Sequence, residues 1–190
     1  MEQTDMKRRN VLIWAAIVVV GLPTGYFARD YLNQPEDRAQ AAMRLFEKYC
    51  VPLTDGQLVR PDSSLTRLNL TGELAWAEPE ALILLRLADS GCSVSDMLQP
   101  LKPEERHSLG VGVVKLIERE LPILTPDHNH GLDSWAEFKV WASHPIRDNR
   151  RWGITLYRVS SDEDSETALS LSYPKNDVVS KNLRELETSS

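Results

Sequence analysis

The chain switches between three hydrophobic patterns, and the switches mark its elements. The first pattern has no polar face: Val11 to Phe27, VLIWAAIVVVGLPTGYF, carries no charge. A segment apolar all round predicts a membrane span, short for a hydrocarbon core of ~30 Å at ~1.5 Å per residue. Residues 29–35 form a linker. A helical period then begins: Pro35 opens it, Glu36 and Asp37 suit its first turn, and Ala39, Ala42, Met43, Phe46, Tyr49 and Cys50 share one face. This helix is expected to stop before Pro52. Leu65 to Leu70 alternates with the period of a half-buried strand. The apolar run Leu82 to Leu87, the turn Ala88-Asp89-Ser90-Gly91 and Cys92 to Val94 predict a hairpin, with a helix from Pro79 as the competing reading. Pro103-Glu104-Glu105 starts a second helix with Leu109, Val113, Leu116 and Ile117 inward, Gly110 and Gly112 weakening its middle, and a stop at Leu121-Pro122. Trp135 to Trp141 alternates again, with Ala136, Phe138 and Val140 on one side. Trp152–Val159 and Thr167–Tyr173 predict a second hairpin around the acidic turn Ser161 to Glu166, and residues 176–190 read as a flexible polar tail.

The two halves, about 36–101 and 102–175, follow one grammar. Glu47-Lys48 meets Glu118-Arg119, Asp62-Ser63 meets Asp133-Ser134, and Trp76-Ala77 meets Trp141-Ala142. LILLRL (Leu82 to Leu87) meets ITLYRV (Ile154 to Val159), and Cys92-Ser93-Val94 meets Leu169-Ser170-Leu171. Two such units would share one antiparallel sheet with both helices on one face. The expected fold is therefore α+β: a single N-terminal transmembrane helix (11–28), then an exported domain (36–175) of two helix-plus-antiparallel-strand repeats.

Charge adds direction. Lys7, Arg8 and Arg9 precede the apolar run and only Arg29 follows closely, so the N-terminus (residues 1–10) is expected in the cytoplasm and the domain in the periplasm of a bacterial inner-membrane protein. Cleavage of the segment as a signal peptide, giving a secreted or periplasmic protein, is the alternative, although Tyr26 makes a poor cleavage site before Ala28. Arg8-Arg9-Asn10-Val11-Leu12 resembles the twin-arginine export signal, and the resemblance implies export of the folded protein. With 22 basic and 28 acidic side chains, net −6, the chain lacks the basic face that nucleic-acid binding requires. Its two cysteines, Cys50 and Cys92, read as one disulfide in an oxidising compartment. That bond closes a loop of about 42 residues and contributes ~4 kcal/mol in the chain-entropy view.

Candidate chemistry is sparse. His128, His130 and Asp133 lie in one loop, and imidazole with carboxylate suits zinc or nickel, with His107 or His144 as further ligands. A polar turn is the plainer reading. Trp135 and Trp141 are candidates for an aromatic platform facing a partner, against a role in the core. No Gly-x-Ser-x-Gly elbow and no phosphate-binding glycine loop occurs. The expectation is a membrane-anchored, non-catalytic envelope protein, held through residues 11–27, that binds an unidentified protein partner and needs no cofactor. The alternatives are a metal-dependent hydrolase built on the His128/His130 loop and a small-ligand sensor binding between the repeats.

Overall fold

The computed structural model describes residues 37–70, 73–89, 91–96, 99–128, 136–160, 165–173 and 177–188. The apolar run 11–27, the export signal at Arg8 and Arg9, and the linker lie outside them. Helix α1 (Arg38–Leu45) starts at Asp37, whose carboxylate accepts from Ala39 N at 3.0 Å. It runs on through a π turn (Phe46–Cys50) and a 3₁₀ turn (Val51–Asp55) that ends at Gly56 in the left-handed region, φ 74°. The expected stop before Pro52 is thus corrected. Proline needs no N–H donor at the start of a helical turn, so the 3₁₀ turn accommodates it there.

Four strands follow: β1 (Thr66–Leu70), β2 (Glu73–Glu78), β3 (Ile83–Ala88) and β4 (Gly91–Ser95). Helix α2 (Pro103–Glu120) opens on a cap in which Lys102 N donates to Glu105 Oε2 at 2.7 Å. Then come β5 (Thr125–Pro126), β6 (Ala136–Ala142), β7 (Gly153–Ser160), β8 (Ser165–Ser172) and helix α3 (Asp177–Thr188). The eight strands form one sheet, antiparallel throughout, in the order β1-β2-β3-β4-β8-β7-β6-β5. This is an α+β fold with three helices among the described residues.

Strand parity decides which side chains meet the helices. Trp76, Leu85, Leu87, Cys92, Val94, Leu169, Leu171, Ile154 and Trp141 share one core with Ala42 and Phe46 of the α1 region, Val113 of α2 and Leu183 of α3. Within it Cys50 and Cys92 are disulfide-bonded, Cα–Cα 5.3 Å, fixing the π turn to β4. At the centre of the sheet Ser93 faces Ser170, with Cys92 opposite Leu171 and Val94 opposite Leu169. Trp76 faces Leu85 in one half, and Trp141 faces Ile154 in the other. Leu121 and Leu169, where the second half lacks the cysteines, are both buried in the same core. Beside Trp141 the strands come so close that a Cβ at Gly153 would lie 2.1 Å from the Trp141 carbonyl oxygen.

Three sequence expectations change. The polar tail from Asn176 contains α3, because Val179, Leu183 and Leu186 fall on one helical face and are buried. The segment around Trp76-Ala77, for which no element was predicted, is strand β2. The matching of LILLRL with ITLYRV slips by an odd number of residues: Leu85 and Leu87, not Leu84, occupy the helix-facing places held by Ile154 and Leu156 in the other half. An odd slip moves a strand's side chains to the opposite face.

Candidate partner-docking surface

The sequence-predicted site residues separate. Trp141 is buried, 8% exposed, and belongs to the core rather than to a surface platform, while its proposed companion Trp135 lies outside the described residues. His130 and Asp133 also lie outside them, and His128 is exposed. Neighbouring Asp127 accepts from Arg151 Nη2 at 2.7 Å, and Arg151 Nη1 donates to the His144 carbonyl at 2.6 Å, so this guanidinium ties the ends of the two loops together. Among the described residues no group of three or more His, Cys, Asp or Glu side chains is arranged to hold a metal ion. None of the described helices is long and apolar enough to cross a membrane.

Helix α2 builds a different surface. Leu109, Val113, Leu116 and Ile117 point into the core. The stripe opposite them carries His107, Val111, Val114 and Glu118, and Val111 and Val114 are each 41% exposed. Grooves flank this ridge. One, about 720 Å³, lies between α1 and α2 and is lined by Gln40, Met43, Arg44, Val111, Lys115 and Arg119, among others. At Gly112 the two helices approach closely, and an added Cβ would come within 3.1 Å of Met43 Cγ. The other, about 460 Å³, runs between α2 and the sheet and includes Arg106, Val114, Lys115, Glu118, Lys139 and Leu156.

The electrostatics of this surface depart from those of the whole chain. Arg119 bridges Glu47 at 3.2 Å and Glu120 at 2.7 Å, and both carboxylates hold its guanidinium more firmly protonated, Glu120 foremost. Arg106 Nη1 donates to the Leu101 carbonyl at 2.7 Å, which fixes the guanidinium beside the helix start. Lys115 and Lys139 are exposed, and no carboxylate pairs with either among the described residues. An acidic protein therefore presents a rim with a basic excess around two exposed valines, Arg44, Arg106, Lys115, Arg119 and Lys139 standing against Asp37, Glu47 and Glu118. Sequence reading placed the inward stripe of α2 and passed over its reverse. The available signal was a pair of β-branched residues, three apart, on the side turned from the core.

The Asp62 carboxylate near α1 has a different task. Lys48 Nζ donates to Asp62 Oδ2 at 2.6 Å and Tyr49 Oη to the same oxygen at 3.2 Å, stapling the approach to β1 onto the π turn. Lys48 and the Ser64 donors hold the Asp62 carboxyl well below the usual carboxylate range. Its hydrogen bonds account for that shift, so Asp62 is a structural anion.

Comparison with known proteins found no family model that matches the sequence, and no curated protein or solved structure that matches it either.

Proposed function

We propose that this chain is a membrane-tethered, non-catalytic envelope protein whose exported domain docks a protein partner over the exposed face of α2. The observation that carries this reading is the Val111–Val114 ridge between two grooves, rimmed by Lys115 and Lys139. A groove alongside a helix accepts an amphipathic helix whose apolar side covers the valines. The basic rim on an acidic molecule selects a partner with acidic flanks, which it also steers during approach. The uncharged run 11–27 and the basic residues before it support a tether with the N-terminus in the cytoplasm. The Cys50–Cys92 bond points to an oxidising, non-cytoplasmic compartment for the domain.

The same proposal includes an internal duplication, each unit a helix followed by four antiparallel strands. The strand order supports it, being the same from either edge of the sheet inward. So does the central register: exchanging Cys92 with Leu169 and Val94 with Leu171 returns the same pairs around Ser93 and Ser170. Trp76 and Trp141 fall in equivalent places by that rule.

The test uses the full-length protein in its own membranes, with a photo-crosslinking residue at position 111 or 114 and a control at exposed position 80. The expected result is an adduct at 111 and 114 alone whose crosslinked peptide maps to an acidic amphipathic segment. No adduct, equal adducts at position 80, or a peptide without acidic residues contradicts the reading.

A further inference from the structure

The two edges of the sheet are built differently. Strand order puts β5 at one edge and β1 at the other. β5 is two residues long, and one of them, Pro126, has no N–H to offer. An edge so short and so interrupted does not template a further strand. β1 is five residues, TRLNL, with neither proline nor lysine, and among the described residues no strand pairs with its outer side. Helix α1 packs on β3 and β4, further in. A row of backbone N–H and C=O groups is thus presented at one edge, independent of the α2 surface.

Parity sorts the side chains of β1. Arg67 stands opposite Trp76 and Asn69 opposite Leu74, and both partners belong to the helix-side core. Thr66, Leu68 and Leu70 therefore lie on the other side of the sheet. Thr66 and Asn69 are exposed, while Arg67, Leu68 and Leu70 are half-buried. The Arg67 guanidinium lies over the Trp76 ring, 5.8 Å from its centroid, and so leans inward over its own sheet. The one charge on this strand is thereby drawn back from the edge.

We propose that two copies of this chain join through β1, the strands antiparallel about a two-fold axis at Leu68, to give one continuous sheet with the helices of both copies on the same side. The strand is self-complementary in this register: Leu68 meets Leu68, Thr66 meets Leu70, and Arg67 meets Asn69. All five residues pair, apolar side chains meet on one face, and each guanidinium meets an amide on the other. An axis at Arg67 would set two guanidiniums opposite each other. An axis at Asn69 would carry Thr66 and Arg67 past the end of the partner strand. Pairing β1 onto β5 of the next copy would grow an open filament, and the short, proline-bearing β5 edge prevents it. A β1–β1 contact closes as a dimer instead. The fold uses the same geometry at its centre, where β4 and β8 run antiparallel through the facing pair Ser93 and Ser170.

The test is cysteine crosslinking of the full-length protein in its own membranes, Leu68→Cys against Thr66→Cys. Residue 68 meets its own copy at the axis, whereas the two copies of residue 66 stand about 14 Å apart at ~3.4 Å per residue. Mild copper-phenanthroline oxidation should yield a covalent homodimer at 68 in ~10-fold excess over 66, the reach of a disulfide being short, although 66 is the more exposed position. Coexpressed Arg67→Cys and Asn69→Cys chains should link to each other in preference to themselves. Leu68→Lys sets like charges opposite each other at the axis and should leave the protein monomeric by light scattering. Val111→Glu on α2 should leave the dimer intact, which separates this contact from the docking surface. Where Leu68→Lys does not fold by circular dichroism, the 67 and 69 pair carries the test. No linkage at 68, equal linkage at 66 and 68, or linkage of 68 to a different protein overturns the proposal. Loss of the dimer in Val111→Glu overturns it too, in favour of contact through α2.

Discussion

Tyr173 shows what a single buried polar group does to the pH response. Its ring lies in the core and its hydroxyl donates to the Ala88 carbonyl, joining the end of β8 to the end of β3. Burial, helped by the Asp89 charge, pushes the phenol up to about 12. The unfolded phenol ionises near ~10, so the native state retains the proton longer. Stability from this group is fully present below pH ~10 and is lost as pH rises toward 12. Chemical denaturation between pH 9 and 12 should show that loss, and Tyr173→Phe should flatten the curve while removing the latest phenolate step at 295 nm. The cysteines make the other prediction at this scale. Cys50→Ala/Cys92→Ala should lower unfolding free energy by about 2–5 kcal/mol without changing the fold. Their pairing was legible because two cysteines in an oxidising compartment have only each other as partners. The facing of Trp141 was not, because Val140, Trp141 and Ala142 are all buried. Alternation identifies the core side only where one face is wet.

At the scale of elements, the joints matter more than the helices and strands themselves. Asp96 follows β4 and is 1% exposed. Its carboxylate accepts from Thr167 N and from Leu101 N, each at 2.6 Å, while Asp96 N donates to the Thr167 carbonyl at 3.2 Å. One side chain thus fixes β8 to β4 and sets the approach to α2. Asp96→Ala would strand two buried N–H groups and should cost about 2–5 kcal/mol, measured by urea unfolding, whereas Asp62→Asn on the exposed staple should cost less. The sequence announced α1 and α2 through proline and acidic residues at their starts and through periodicity, and the hairpins through their turns. It concealed β2, where Leu74 to Glu78 are all buried and show no alternation although Gly72 signals a turn before them, and α3, whose three buried apolar residues are diluted by a charged surface. Asp96 gave no signal either, since its role depends on backbone 71 residues away.

For the whole molecule, composition and topology answer different questions. In the sequence the charge balance argues against nucleic acid and the apolar run suggests a tether, but neither predicts a local basic excess on an acidic chain. That excess exists because α2 turns Val111, Val114 and Lys115 outward while β6 brings Lys139 beside them, a juxtaposition no local window contains. Of the residues that the sequence offered most loudly, His128 is exposed and Trp141 is in the core, while His130, Asp133 and Trp135 lie outside the described residues. The surface that supports docking was written as the polar side of an amphipathic helix with two apolar exceptions.

The most direct test of partner docking is charge reversal read through the crosslink at position 114 in native membranes. Lys115→Glu/Lys139→Glu should reduce the yield of the partner adduct ~10-fold or more, two rim charges being inverted against an acidic segment. Raising ionic strength should reduce the wild-type yield in the same direction. An adduct whose yield is indifferent to both the reversal and the salt, from a variant that remains folded by circular dichroism, would contradict recognition of an acidic partner by this face.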